Sequence, residues 1–449
     1  MLLANTHEID ITPALGTLIN GEFNTRYANS IADMLYAKAL YLKNGTVGQL
    51  YIMVDICVMK REFIDPIKIQ IEKITGVPIT HQLIASTHTH YGGSVSDLLM
   101  AHADLAYREF LSAKLIELAT VVCAHVIPAK IGFGKIEKPE HLTCRRYLMD
   151  DDFVAMNPVT HAQDIIKTNP FGHESHILSR STVPDPEVCF LTIQSMEGKW
   201  IGLLANYNLH YVGDSARSTL TADYFGYFAK KVKQNIGSSE MVVMMSNGTS
   251  GEINIWDFID GDRYPTEAHA KSKLIGEDVA DAVCANLDFI PYSTDDQLDV
   301  FYKDLSLGIR PLEEESLAKA FDIFKNTDYE SLAYTDEDLM EKVYAREQVL
   351  LTQYPIKIAF PIQCFKIGHV LIGSLGGEFF SKTGKLLKAE CPTYFTICLS
   401  NDYVGYVPPK EEFANGGYET WRARSSYLAK DAEEKIRTEM IQFIKKHTS

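Results

Sequence analysis

The chain has 449 residues, of which 46% are hydrophobic and 23% charged, a balance that excludes a disordered protein and leaves room for a large core. Its formal net charge of −16 disfavours a nucleic-acid partner, because an acidic surface repels phosphates and the lysines and arginines form no basic stripe. No apolar run is long enough to cross a bilayer and no signal peptide is evident, so a cytoplasmic protein without a transmembrane segment is expected.

Ile9-Asp10-Ile11-Thr12-Pro13 followed by Gly16 reads as a short strand entering a turn. Tyr36 to Lys43 and Gln49 to Val58 read as two strands of a hairpin joined through Asn44-Gly45. Apolar residues at helical spacing predict a helix over Glu62 to Thr75, stopped by Gly76 and Pro78. Gln82-Leu83-Ile84-Ala85 is an apolar strand that leads into Ser86-Thr87-His88-Thr89-His90-Tyr91-Gly92-Gly93. Side chains alternate along a strand, so His88 and His90 are expected to face the same way at its end, which suits metal binding or proton transfer. A long helix over Asp104 to His125 and a strand over Lys130 to Lys135 follow. From His141 to Pro186 the pattern is irregular, and His161, His173 and His176 read as solvated loop histidines.

Strands resume at Glu187 to Ser195 and at Trp200 to His210, the second ending in Asn206-Tyr207-Asn208-Leu209-His210. After a helix over Asp223 to Asn235, the strand Met241 to Met245 opens into Ser246 to Glu252, a glycine loop that lacks the Gly-Lys-Ser ending of a P-loop. A helix over Ala268 to Asn286 and strands near Gln297 to Ile309 precede a helical excursion at about 311–353, read as surface helices with a solvated charged face. The strands Ile356 to Ile367 and Val370 to Ser374 lead to Leu375-Gly376-Gly377-Glu378, and a helix begins near Ser381. Tyr394 to Ser400 opens into Asn401-Asp402-Tyr403-Val404-Gly405-Tyr406, and the chain closes with a helix over Tyr427 to Lys446. This alternation predicts an α/β (mixed α+β) fold in one large catalytic domain, 1–449. The eight cysteines form no Cys-x-x-Cys pair and read as small buried hydrophobes of a reducing compartment.

Four apolar strands thus end in polar signatures: His88 and His90, His210, Glu378, and the loop carrying Tyr403 and Tyr406. Sheets of this kind gather ligands outside their strand ends, so the four are expected to converge on one site. Two histidines and one glutamate form a familiar ligand set for catalytic zinc, with a position left open for water.

These residues resemble the N-terminal catalytic domain of the neutral/alkaline non-lysosomal ceramidase family over nearly the whole chain. The resemblance is carried by Asp10 to Pro13, Thr87 to His90, Arg145 with Asn157-Pro158, Asp185-Pro186-Glu187, Asn206 to His210 and Asn247 to Gly251. It continues through Gly377-Glu378-Phe379, Tyr403 to Tyr406, Glu411-Glu412 and Tyr418-Glu419. It implies a zinc ion held by His88, His210, Glu378 and Tyr406, with Tyr406 rather than Tyr403 at the ligand position. It further implies His90 as a proton-transfer or orienting group, and Arg145 and Tyr418 facing the scissile carbonyl, with Arg146 the alternative to Arg145. The implied activity is hydrolysis of an N-acyl amide by zinc-activated water.

Two departures bear on the substrate. Tyr91-Gly92-Gly93 replaces the family's Ser/Gly/Pro-rich turn, and no counterpart of the C-terminal immunoglobulin-like domain of full-length ceramidases is expected. A small-molecule amide smaller and more polar than ceramide is therefore expected. Glycines also stand where the Asp and third His of a metallo-β-lactamase motif belong, which removes that two-metal reading. A metal-dependent esterase or phosphatase on the same site, or a non-catalytic zinc-binding descendant, are the alternatives.

Overall fold

The hairpin around Asn44-Gly45 lies inside a large mixed sheet. Tyr36–Lys43 pairs antiparallel with Gly48–Val54, and Asn44 Oδ1 closes the turn by accepting from the backbone N–H groups of Thr46 and Val47 at 2.9 and 2.7 Å. In the computed structural model, which describes residues 1–261 and 263–448, the sheet runs in the order Val242–Asn247, Trp200–Tyr207, Glu187–Ser195, Ile127–Glu137, Leu3–Asp10, Tyr36–Lys43, Gly48–Val54 and Gln82–Ser86. Each end of it is a parallel pair, which needs a crossover, and the helices Arg61–Thr75 and Asp223–Ile236 supply the two crossovers.

A second sheet has the order Leu298–Gly308, Lys357–Ile367, Val370–Leu375 and Tyr394–Cys398. Its last two strands are again parallel and are joined through the helix Ser381–Lys388. The sheets pack face to face, with Leu40, Leu42 and Met53 of the first in one cluster with Phe365, Phe395 and Ile397 of the second. Helices cover both outer faces. Phe63, Leu111 and Leu115 pack on one half of the large sheet, Phe228, Val232 and Ile275 on the other, and Ile436, Met440 and Ile444 on the small sheet. The fold is therefore mixed α+β, as its alternating elements imply. Strands buried on both faces explain why so many read as continuous apolar runs.

Backbone and side-chain hydrogen bonds tie the two sheets together at one rim. Ser86 N–H donates to Leu399 O at 3.1 Å and Asn401 N–H to Ile84 O at 2.8 Å, while Asn401 Oδ1 accepts from Ile84 N–H at 3.0 Å. The ends of Gln82–Ser86 and Tyr394–Cys398 are thereby held side by side.

Two expectations need correction. The irregular stretch 141–186 carries a small antiparallel sheet, with Arg146–Met149 between Ile166–Thr168 and Ile177–Arg180; its strands are too short to show a period. Within the helical excursion, Glu314–Lys325 is largely solvated as expected, but Leu339–Leu351 is buried along Val343, Tyr344, Glu347 and Gln348. Glu347 Oε1 is paired with Arg424 Nη2 at 2.7 Å, so its charge marks a buried partner and not a solvent face.

Candidate metal centre

The strand Gln82–Ser86 ends two residues before His88, which sits at φ +76°. A non-glycine residue there is strained and persists only where its surroundings hold it. Here His88 N–H donates to Ile56 O at 3.1 Å and Nδ1 lies 2.9 Å from Cys57 O. A carbonyl oxygen only accepts, so Nδ1 carries the hydrogen and Nε2 presents a lone pair. His210, just beyond the strand Trp200–Tyr207, is set the same way by Ser250 O, 3.3 Å from its Nδ1. The two Nε2 atoms face each other at 3.2 Å.

Glu378 completes the group. Its Oε1 accepts from the Tyr403 hydroxyl at 2.8 Å, whereas the buried Oε2 has no hydrogen-bond partner and lies 3.6 Å from His88 Nε2 and 3.5 Å from His210 Nε2. Burial pushes the pKa of both imidazoles down, so these contacts are not ion pairs of a charged histidine. Three acceptor atoms pointed at one another without a proton repel, and a divalent cation relieves that repulsion. Two imidazole nitrogens and one carboxylate oxygen suit zinc. Cys57, His88 and His90 also lie close enough to share an ion, but burial raises the Cys57 thiol, which disfavours the thiolate a metal needs.

His90 Nε2 is 3.3 Å from His88 Nε2, and its ring stacks on Tyr211 with centroids 3.6 Å apart. The two histidines do converge, but not through strand alternation: the strand has ended and the left-handed turn at His88 redirects the chain. Arg26 donates to His90 O. Gly21 closes the other side at φ +104°, where an added Cβ would lie 2.6 Å from His90 Nδ1.

Tyr406 is placed by backbone pairing. It is the register partner of Glu378 in a short parallel ladder, and its N–H donates to Ser425 O at 2.8 Å. The preceding Gly405 has φ +78° and the Ser425 backbone occupies the space a Cβ would need. The Tyr406 and Tyr418 rings meet edge to face at 5.3 Å, and the Arg145 guanidinium carbon lies 5.2 and 5.9 Å from their centroids. Arg145 donates to Glu419 Oε1 at 2.8 Å and to Gly251 O at 2.7 Å. Arg146 is fully buried behind it, donating to Glu419 Oε2 at 2.7 Å and to Glu412 Oε2 at 2.9 Å.

A cavity of about 220 Å³ opens here, lined by His90, His210, Arg145, Tyr406, Tyr418 and Trp421 among others. All seven residues singled out in the sequence thus lie in or against one site, and of the two arginines it is Arg145 that reaches the cavity. The sequence reading missed the parts that orient them. Cys57 and Ser250 act through backbone carbonyls, which every residue has; Tyr211 and Gly21 stand in no motif. Only the Asn247 to Gly251 loop had a signal, as a match without a role.

The fold is similar to that of "neutral ceramidase from Pseudomonas aeruginosa", with a TM-score of 0.71 and 13% identity over 99% of this chain and 74% of that one. A structure described as "Ceramidase complexed with C2" aligns with a TM-score of 0.69 and 14% identity, covering 99% and 75% of the two chains. No protein-family model and no curated protein sequence matches the chain. At such identities the likeness is one of fold, and at that level the resemblance carried by the motifs holds across nearly the whole chain. Among the described residues no helix is long and apolar enough to cross a membrane.

Proposed function

We propose that the protein is a zinc-dependent amidohydrolase that cleaves a linear N-acyl amide smaller than ceramide. In this reading His88, His210, Glu378 and Tyr406 hold the metal, and His90, Arg145 and Tyr418 surround the reacting carbonyl. The observation that carries it is Glu378 Oε2, buried without a donor and facing two imidazole lone pairs at 3.5 and 3.6 Å. Zinc bound there would supply an activated water at neutral pH and polarise the carbonyl.

The remaining chemistry belongs to the chain. Burial first and then His88 lower the His90 pKa and keep the imidazole neutral at rest, and its Nε2, 3.3 Å from His88 Nε2, is placed to take a proton and return it to the leaving amine. Its stack on Tyr211 fixes the direction of that transfer. Burial raises the Tyr418 hydroxyl, so it remains a donor, and with Arg145 it stabilises negative charge on the carbonyl oxygen. Tyr403 engages one oxygen of Glu378 and leaves the other free. A cavity of about 220 Å³ suits a short amide better than two long lipid chains.

Two variants test the assignments apart from the metal. Tyr418→Phe is expected to lower kcat about 100-fold with little change in KM and unchanged zinc content, the loss of one oxyanion donor. Gly21→Ala is expected to displace His90 and cost about 100-fold in kcat/KM, again with zinc retained. Steady-state kinetics beside metal analysis check both. Assay of purified protein against matched N-acyl amides and acyl esters tests the reaction itself. Cleavage of esters alone, or zinc without any hydrolysis, ends the amidase reading.

A further inference from the structure

The cavity has two unlike walls. Phe23, Met340 and Trp421 belong to one apolar cluster with Tyr418 and form its hydrophobic side. The other side is the segment Lys167-Thr168-Asn169, where the small antiparallel sheet reaches the site. Asn169 N–H donates to Arg145 O at 2.8 Å, which fixes this segment beside the arginine. Asn169 Oδ1 accepts from Asn254 Nδ2 at 2.6 Å, and the same side chain carries two N–H donors.

The cations along these walls are not paired alike. Arg145 and Arg146 are matched by Glu419 and Glu412 in one buried network. Lys167 has no such partner: among the described residues no carboxylate lies within ion-pair distance of its ammonium. Asp164, the acid that acts on it electrostatically, already accepts from Gly417 N–H at 2.9 Å and from Trp421 Nε1 at 2.6 Å. No described carboxylate lines the cavity. In a protein of net charge −16, a half-buried lysine in no ion pair, in a cavity that no described carboxylate lines, is a local reversal of sign.

We propose that Lys167, with the Asn169 amide, is an anion-recognition site, and that the substrate is an amide with an apolar group on one half and a carboxylate on the other, the chemistry of an N-acyl amino acid. The substrate class rests on the amidohydrolase reading above; the anion site itself does not. An ionic hydrogen bond in a partly desolvated site is worth about tenfold in affinity or more.

The test uses a matched pair of non-cleavable ketones, with a methylene in place of the scissile N–H, one ending in a carboxylate and the other in a carboxamide. Calorimetry on the zinc-loaded protein is expected to give at least about tenfold tighter binding of the carboxylate. Lys167→Met is expected to abolish that preference, and Lys167→Arg to restore most of it. Equal affinity for the pair, no binding of either, or a preference that survives Lys167→Met overturns the proposal. If the preference follows Lys167 but the corresponding amides are not hydrolysed, the amidohydrolase reading fails while the anion site stands.

Discussion

Glu378→Gln is expected to release the metal and leave the fold intact. Glutamine keeps the shape of glutamate and an oxygen for the Tyr403 hydroxyl, which donates to Glu378 Oε1 at 2.8 Å. It removes the negative charge that faces the two imidazoles. Losing an outer partner of a metal ligand costs about 10–100-fold in metal affinity, so losing the charge of a ligand itself should exceed about 100-fold. Amide hydrolysis should fall by at least about 1,000-fold, since activated water and carbonyl polarisation are lost together. A second outcome separates this account from simple damage. In metal-free protein the variant should be at least as stable as the wild type, because it relieves three facing acceptors. With zinc only the wild type should gain in Tm, because binding stabilises the state that binds. Metal analysis and thermal unfolding with and without a chelator check this. A variant that retains stoichiometric zinc would remove Glu378 from the site.

Arg146→Met should be the most destabilising change near the cavity. Arg146 and Glu419 are both fully buried, and Glu419 is shared with Arg145 and with the Thr168 hydroxyl at 2.9 Å. Removing one partner of a buried ion pair leaves an uncompensated charge and costs about 3–5 kcal/mol. The loss should depend on pH. Burial alone would raise the Glu419 carboxyl, but Arg145 and Arg146 outweigh it and hold it below its ordinary value. A depressed carboxylate stabilises the native state fully above its unfolded pKa of about 4.3, and that contribution fades as pH falls through the folded value. The deficit of Arg146→Met should therefore be largest near neutrality and shrink in acid. Denaturant unfolding across pH measures it. A deficit below about 1 kcal/mol, or one independent of pH, would contradict the network.

Much of the site was legible because its strands are buried on both faces. Each apolar run is continuous up to the polar residue that ends it, so His88, His210, Glu378 and Tyr406 stand out in the text of the chain. Their convergence depends on features that leave no local pattern. The strand order joins residues 3–10 to 127–137, and Asn401 ties the rims of the two sheets together. His88 shows how a correct residue can come with an incomplete reason. Alternation along a strand pairs it with His90, yet the geometry arises from a left-handed turn held by Ile56 and Cys57 carbonyls. Buried charge is equally hard to read: Glu347 and Arg346 look like a solvated helix face, and the partner that buries Glu347, Arg424, lies 77 residues away. The Lys167 segment fell in a stretch whose strands are two to four residues long, too short for any period.

The central claim is that one zinc ion joins His88, His210 and Glu378. Crystals of protein purified with zinc, measured at the zinc absorption edge, test it directly. The account predicts a single anomalous peak about 2.0–2.2 Å from His88 Nε2, His210 Nε2 and Glu378 Oε2, with the Tyr406 hydroxyl turned towards it. A protein that carries zinc but shows its peak elsewhere, or whose His88, His210 and Glu378 atoms approach one another without a peak between them, would contradict it.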